Sequence, residues 1–523
     1  MVYNLPGLET LNTRGQRNKV RQSSIIAINA LSMWTARALQ LFPQLYLVPY
    51  LVGKLGKSGY GIYALVWSLL FAVDTLQRSL QSGVVKYSAA FLAQRKIDEV
   101  NKTISSSFLF SSLLAIIISS ALFFFILLNK NISPDLRSPL IIVSFLIILI
   151  VPVTPYIAVL QAKQYYYIGV ITDTIFNYIG FFLIIIFFQI SNPSINNLIL
   201  IMGIMMILAK AIQIPLAYRL IPGLKNQLFL FDRKIFSLIL SYGSGIVLAS
   251  ACLTANSAGL RWLMNWLVSP TFVTFMVVLL TPSILLSQVV GPLAITIMPA
   301  TSAYEATGRQ EMLQKLLSQG VKYITFLVLV ALIVVFFLLK PLLNMWMGSE
   351  YLFLTPYAVM VFASMCFRES TSVAHHMLKG LGKLNVVVKI YFFSLVLLPS
   401  VMIITIMEVY DNPYIAITAG LSTGYIFCGI MQLLVCAKYT NVRITDIIVR
   451  GYLFTISIAM GVCGGITFIL RTWNDSGLIK ACSACLAAVI IFISAWYFFV
   501  VTDNDRIFIN RLFLKIRCRL SII

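Results

Sequence analysis

Apolar stretches long enough to cross a bilayer recur along the whole chain, about fourteen of them, and only short polar links separate one from the next. A helical crossing needs about 20 mostly apolar residues at a rise of about 1.5 Å each. Ser105 to Leu128, Leu140 to Leu160, Ile168 to Ile190, Val321 to Leu339 and Val386 to Ile406 all reach that length. Lipid offers no partner to a backbone N–H or C=O, so such stretches must satisfy themselves as helices, and the fold expected is an all-α polytopic membrane protein. With 60% of the 523 residues hydrophobic and 11% charged, little is left over for a separate soluble catalytic domain. Function is therefore sought inside the bundle.

The formal net charge of +22 would suit a nucleic-acid partner, so its distribution decides its meaning. Basic clusters at Arg95, Lys96 and Lys102, at Arg219, Lys225, Arg233 and Lys234, at Lys379, Lys383 and Lys389, and from Arg506 to Arg519 alternate with nearly uncharged turns such as Ser191 to Asn196. With the N-terminus in the cytoplasm and fourteen spans, the cytoplasmic links and tails collect about 26 Lys and Arg against about 7 on the other side. The positive-inside bias accounts for the charge without nucleic acid and places both ends in the cytoplasm. Arg14, Arg17, Lys19 and Arg21 precede a long apolar stretch with no small-residue cleavage site, which reads as a retained first helix rather than a signal peptide. The outer links run to about ten residues at most, too short for a folded catalytic loop, so an enzyme such as a membrane polymerase or glycosyltransferase is not expected.

No metal or cofactor is expected either. The eight cysteines lie mostly in apolar spans, where thiols behave as small hydrophobes; Cys482 and Cys485 form a CxxC string without matching His or Cys partners. His375 and His376 are the only histidines, and two ligands do not make a zinc site.

Two links resemble one another. Ser88-Ala89 with Arg95 follows the second span and Ser302-Ala303 with Arg309 follows the eighth, an offset of about 214 residues. A second pair, Leu160-Gln161-Ala162-Lys163 and Leu378-Lys379-Gly380 with Lys383, repeats at about 218. Six spans is an even number, so the copies run parallel, as in transporters built from two bundles. The organisation expected is a basic tail at 1–23, an N-lobe of six spans at 24–218, a cytoplasmic linker at 219–236, a C-lobe of six spans at 237–436, two further spans with their preceding loop at 437–501, and a basic tail at 502–523.

Polar residues recur at helical spacing within the spans. Asp74, Gln77, Arg78, Gln81 and Ser82 fall at i, i+3, i+4, i+7 and i+8 of the second span, and Arg37, Gln40 and Gln44 repeat the pattern in the first. Ser364, Arg368, Thr371, Ser372 and His375 mark the tenth, and Lys86 lies near the cytoplasmic end of the second. Ionisable groups at membrane depth cost several kcal/mol unless paired or hydrated, so a stripe of them reads as the wall of a water-filled cavity. Asp74 with Arg78, and Arg368 with Glu369, are also spaced to neutralise one another. Lys210 and Asp173, each alone in its span, read as snorkelling or structural groups. If the stripes converge, Arg37, Arg78, Lys86 and Arg368 outnumber Asp74 and Glu369, and the cavity suits an anion. The planar guanidinium fork matches phosphate oxygens, while Gln and Ser suit hydroxyls, the combination a sugar diphosphate presents.

These features, with the glycine-rich turn Leu55-Gly56-Lys57-Ser58-Gly59-Tyr60-Gly61-Ile62-Tyr63, the Ser88 to Lys102 link and the Leu378 to Lys383 turn, resemble the multidrug/oligosaccharidyl-lipid/polysaccharide (MOP) exporter superfamily over nearly the whole chain. The likeness is greatest to its polysaccharide-transporter branch, the Wzx-type flippases of O-antigen and related glycans. That resemblance implies two six-helix lobes, alternating access, and movement of an undecaprenyl-diphosphate-linked oligosaccharide across the inner membrane for lipopolysaccharide or other surface polysaccharide. It also implies membrane lipids, a polysaccharide polymerase and chain-length proteins as partners of a monomeric transporter. Two alternatives within the superfamily are a cation-coupled multidrug exporter, which would need buried carboxylates and finds mainly Asp74, and a lipid II flippase. The turn after the first span holds Gly53-Lys54-Leu55-Gly56, not the Arg-Asp pairing characteristic of lipid II flippases.

Overall fold

The computed structural model describes residues 14–130, 132–227, 230–295, 297–471 and 478–501. The tail expected at 502–523, and residues 1–13 of the one expected at 1–23, lie outside the described residues. All regular elements described are helical. We number them α1 (Arg14–Ala93), α2 (Ile97–Leu128), α3 (Pro134–Ala162), α4 (Tyr166–Ile190), α5 (Ile195–Leu220), α6 (Arg233–Leu267), α7 (Pro270–Ile295), α8 (Ile297–Ala306), α9 (Gln310–Met347), α10 (Ser349–Gly380), α11 (Leu384–Tyr410), α12 (Pro413–Thr440), α13 (Phe454–Arg471) and α14 (Leu478–Phe499). Twelve segments are long and apolar enough to cross a membrane, and Phe454–Ile469 is a shorter apolar helix. The first segment, Thr35–Ala93, has 59 residues. At about 1.5 Å per residue it would extend far beyond a hydrocarbon core of about 30 Å, so it must fold back as two crossings. It does so at Gly56, whose φ of 72° and ψ of 170° break the helix. Only glycine adopts that backbone conformation without strain. With α1 counted twice and α13 included, the described residues hold the fourteen apolar helices expected.

Packing divides the chain into two compact units, Met1–Thr274 and Phe275–Ile523. In the first, both arms of α1 are central, and α6 and the start of α7 pack on them. A Cβ at Gly61 would overlap the carbonyl oxygen of Pro270, so a bare backbone is what permits this approach. Thr274 Oγ1 donates to the carbonyl of Lys57 at 2.6 Å, and the Ser79 hydroxyl meets that of Ser250 at 2.6 Å. The link after α5 is strapped to one face of α2. Asn101 takes the N–H of Lys225 at 2.8 Å and donates to the carbonyl of Gly223 at 3.1 Å, while Ser105 and Ser106 accept from the backbone of Gln227 and Asp232. Asp232 then caps α6 by accepting from the N–H groups of Lys234 and Ile235.

In the second unit α9 is the spine. Leu329 and Ile333 pack with Ala459 of α13 and with Ala488 and Phe492 of α14. The Phe326 ring lies 4.1 Å from that of Trp496, and Lys322 donates to the carbonyl of Val500 at 2.7 Å. The last two helices are thus fastened to α9 by aromatic packing plus one charge-assisted bond. α10 is interrupted at Thr371, between Thr355–Ser370 and Ser372–Gly380, next to its polar residues.

Candidate functional site

Asp74 and Arg78 sit one turn apart on the second arm of α1, about 20 residues beyond the Gly56 turn, and Arg37 sits about 20 residues before it. An antiparallel fold-back puts equal distances from the turn at equal depth, so the two arms bring all three residues to one level. There they line a cavity of about 530 Å³ within the first unit. Arg37, Gln40, Asp74, Arg78 and Gln81 come from α1, Thr154 and Gln161 from α3, Tyr166 and Asp173 from α4, and Lys210 and Gln213 from α5.

Its polar groups fall into two kinds. Asp74 is only 4% exposed and both of its carboxylate oxygens are engaged: Oδ2 accepts from Arg78 Nε at 2.7 Å and Oδ1 from Lys210 Nζ. Lys210 is equally buried, whereas the Arg78 side chain is 61% exposed. Asp74 therefore anchors Arg78 by one edge while the terminal nitrogens face the cavity. Arg37 is exposed on the same wall and forms no ion pair among the described residues. Gln40 donates to Thr174 Oγ1 at 3.0 Å, and Gln213 to Thr172 Oγ1 at 3.1 Å. Gln81 Nε2 and Gln213 Oε1 are buried and have no hydrogen-bond partner among the described residues. Asp173, half-buried, makes no ion pair or hydrogen bond there. Three cations face two carboxylates, and the wall carries a net positive charge.

Of the ten residues expected from sequence, five share this cavity: Arg37, Gln40, Asp74, Arg78 and Gln81. Gln44 is exposed on α1, two turns beyond Arg37, and does not line it. Gln77 lies about 60° round the helix from Asp74, enough to turn it into the packing, where it donates to Ser111 at 2.5 Å and Thr154 at 3.0 Å. Lys86 is three turns further on and caps the Tyr242 ring, 3.9 Å from its centroid. Arg368 and His375 belong to the second unit. The Arg368 guanidinium lies over Tyr425 at 5.4 Å with one nitrogen 3.9 Å from Glu369, and Ser287 donates to Glu369 at 3.4 Å. His375 is buried and stacked on Tyr391, whose hydroxyl is 3.1 Å from its ring nitrogens. Lys210 and Asp173 correct the sequence reading in the other direction. Lys210 does not snorkel, because its ammonium is buried on Asp74, and both residues are part of the cavity wall. A lone charge of each sign in two neighbouring apolar spans was the signal available for them.

Known structures resemble this arrangement of helices. Lipid II flippase MurJ in an inward closed conformation aligns over 90% of this chain and 98% of its own with a TM-score of 0.67 at 14% identity. A multidrug resistance MATE family transporter of the MOP superfamily, inward-facing, covers 79% of this chain and 98% of its own at a TM-score of 0.62 and 13% identity. The chain has the fold of the MOP-superfamily transporters. A further MOP superfamily transporter, from Pyrococcus furiosus, matches with a TM-score of 0.61 over 80% of this chain and 95% of its own, at 14% identity. No protein-family model and no curated protein matches the chain. At these identities the likeness speaks for the MOP fold and for a multi-pass membrane protein, and the cargo has to be argued from the cavity.

Proposed function

We propose that this protein is a flippase that moves a lipid diphosphate-linked oligosaccharide across the cytoplasmic membrane by alternating access, in the service of surface-polysaccharide assembly. The observation that carries this reading is the wall of the first-unit cavity, where Arg37 and the outer edge of Arg78 present exposed guanidinium groups. Hydrogen bonds to charged groups contribute about 1.5–3 kcal/mol each, and two guanidinium forks fit a diphosphate better than they fit a neutral or cationic solute. A volume of about 530 Å³ takes a diphosphate with its first sugars, whose hydroxyls find polar side chains such as Gln40 and Gln161 at the same wall. The lipid tail needs no protein site because the bilayer solvates it. Arg368 and His375 remain candidates for contact with cargo in the second unit.

A second reading, lipid II translocation, shares the same chemistry of a polyprenyl diphosphate and is favoured by the extent of the alignment with MurJ. A third, export of a cationic small molecule, is favoured by Asp173, a cavity carboxylate without a bonded cation among the described residues. The three separate in proteoliposomes loaded with a fluorescent undecaprenyl diphosphate carrying a short neutral glycan, with lipid II, or with ethidium. The proposal expects protein-dependent loss of leaflet protection for the glycan lipid. Movement of lipid II alone, or of ethidium alone, would replace it with the corresponding alternative.

A further inference from the structure

Lys210 belongs to the cavity wall, but its ammonium is buried on Asp74 at 4% exposure and is not needed to neutralise that carboxylate, since Arg78 alone would do so. Its presence has a geometric consequence. A carboxylate and a guanidinium left to themselves pair through two parallel N–H···O bonds, with Nε and one terminal nitrogen on the two oxygens. Here Lys210 Nζ donates to Oδ1, Arg78 reaches Asp74 through Nε, and the Arg78 side chain is 61% exposed.

We propose that Lys210 is a positioning residue: by holding one oxygen of Asp74, it prevents Arg78 from closing onto the carboxylate and keeps the terminal guanidinium nitrogens turned into the cavity. The idea builds on the reading of the cavity as an anion site, and adds that its strongest donor is kept open by a residue that does not touch the anion. Without Lys210, the buried Oδ1 would lack a donor, a state costly enough at 4% exposure to draw in the nearest terminal nitrogen of Arg78. The guanidinium would then spend two of its N–H groups on Asp74 and withdraw from the wall. Lys210→Arg retains a donor for Oδ1 and leaves Arg78 open. The double variant Asp74→Asn with Lys210→Met removes the carboxylate that would capture Arg78.

Two measurements on detergent-purified full-length protein test this. Phenylglyoxal condenses with the terminal nitrogens of arginine, and mass spectrometry of the Arg78 peptide reads the rate without any cargo. Lys210→Met should slow Arg78 modification at least threefold, Lys210→Arg should leave it within twofold of the unsubstituted protein, and the double variant should be at least as fast as unsubstituted. Unchanged reactivity in Lys210→Met, or slowing in the double variant, would overturn the proposal. The double variant also supplies an answer if the single one fails to fold. Inorganic pyrophosphate binding by calorimetry then asks whether Lys210 acts through Arg78. Lys210→Met should weaken it about tenfold, but add no further loss to Arg78→Gln. Losses that add would make Lys210 a direct ligand and sink the positioning role. If the unsubstituted protein binds no pyrophosphate while the phenylglyoxal pattern holds, the anion reading fails and the positioning of Arg78 stands.

Discussion

Each unit of the molecule carries an arginine beside a carboxylate within an apolar helix, and the two pairs differ in what surrounds them. In the first unit, Asp74 is sealed between Arg78 and Lys210 while Arg78 is 61% exposed at a cavity wall. In the second, the Arg368 side chain is 17% exposed, covered by Tyr425 and Met365, and 3.9 Å from Glu369, too far for a hydrogen bond. Sequence spacing made these stripes look alike. Exposure separates them: one arginine is presented, the other is packed. The lesson is that an ionisable residue at membrane depth says that a partner exists, and the third group around the pair says whether any donor remains for cargo.

The largest effect that would sharpen this contrast is on stability. Asp74→Ala leaves Lys210 buried with no carboxylate, and we expect a loss of about 3–5 kcal/mol, read as a large fall in the thermal midpoint of the purified protein. A midpoint shift no greater than that of an exposed-site control would mean that the triad does not hold the helices. Next comes the functional asymmetry. Arg78→Gln should lower affinity for a polyprenyl diphosphate about 10- to 100-fold, equivalent to about 1.5–3 kcal/mol, with a smaller loss of stability than Asp74→Ala because Lys210 still holds the carboxylate. Arg368→Gln should do the reverse, costing stability with a smaller effect on that affinity. Equal losses of affinity from both would break the contrast and put Arg368 on a par with Arg78 at the cargo.

Asp173 gives a gain rather than a loss. Removing a negative charge from the wall with Asp173→Asn should strengthen diphosphate binding about fivefold, roughly 1 kcal/mol for a charge several ångströms away in a partly hydrated site. A weakened or unchanged affinity would mean that Asp173 is not facing the anion. The smallest effect belongs to Asp232, whose carboxyl is held below the usual carboxylate range chiefly by the N–H of Ile235, with that of Lys234 assisting. Asp232→Ala should cost about 0.5 kcal/mol at the start of α6 and leave diphosphate affinity untouched, since the cap lies outside the cavity. A drop in affinity there would tie the strapped link to the site.

Much of the fold was legible in the chain because lipid leaves a hydrophobic helix few alternatives. The fourteen apolar helices follow from length and composition, and the Gly56 reversal from a segment too long to cross once. The cavity was half legible. Asp74, Arg78 and Gln81 fall within an arc of about 60° on one helix, so periodicity found them, while Gln77, at the margin of the same stripe, turned into the packing. Lys210 and Asp173 carry no stripe of their own. Their meaning depends on which spans are neighbours, a tertiary fact that periodicity within one helix does not contain. Lys86 is a case where an aromatic ring on another helix, Tyr242, absorbed a charge that spacing alone assigned to the cavity.

The central claim is that the first-unit cavity receives a diphosphate on Arg37 and Arg78, and the most direct test is protection. Phenylglyoxal modification of the Arg37 and Arg78 peptides would be followed with and without saturating geranylgeranyl diphosphate, using geranylgeraniol as the uncharged control. The account predicts that the diphosphate protects both arginines, that the alcohol protects neither, and that added salt weakens the protection. Modification rates indifferent to the diphosphate, or equal protection by the alcohol, would contradict it.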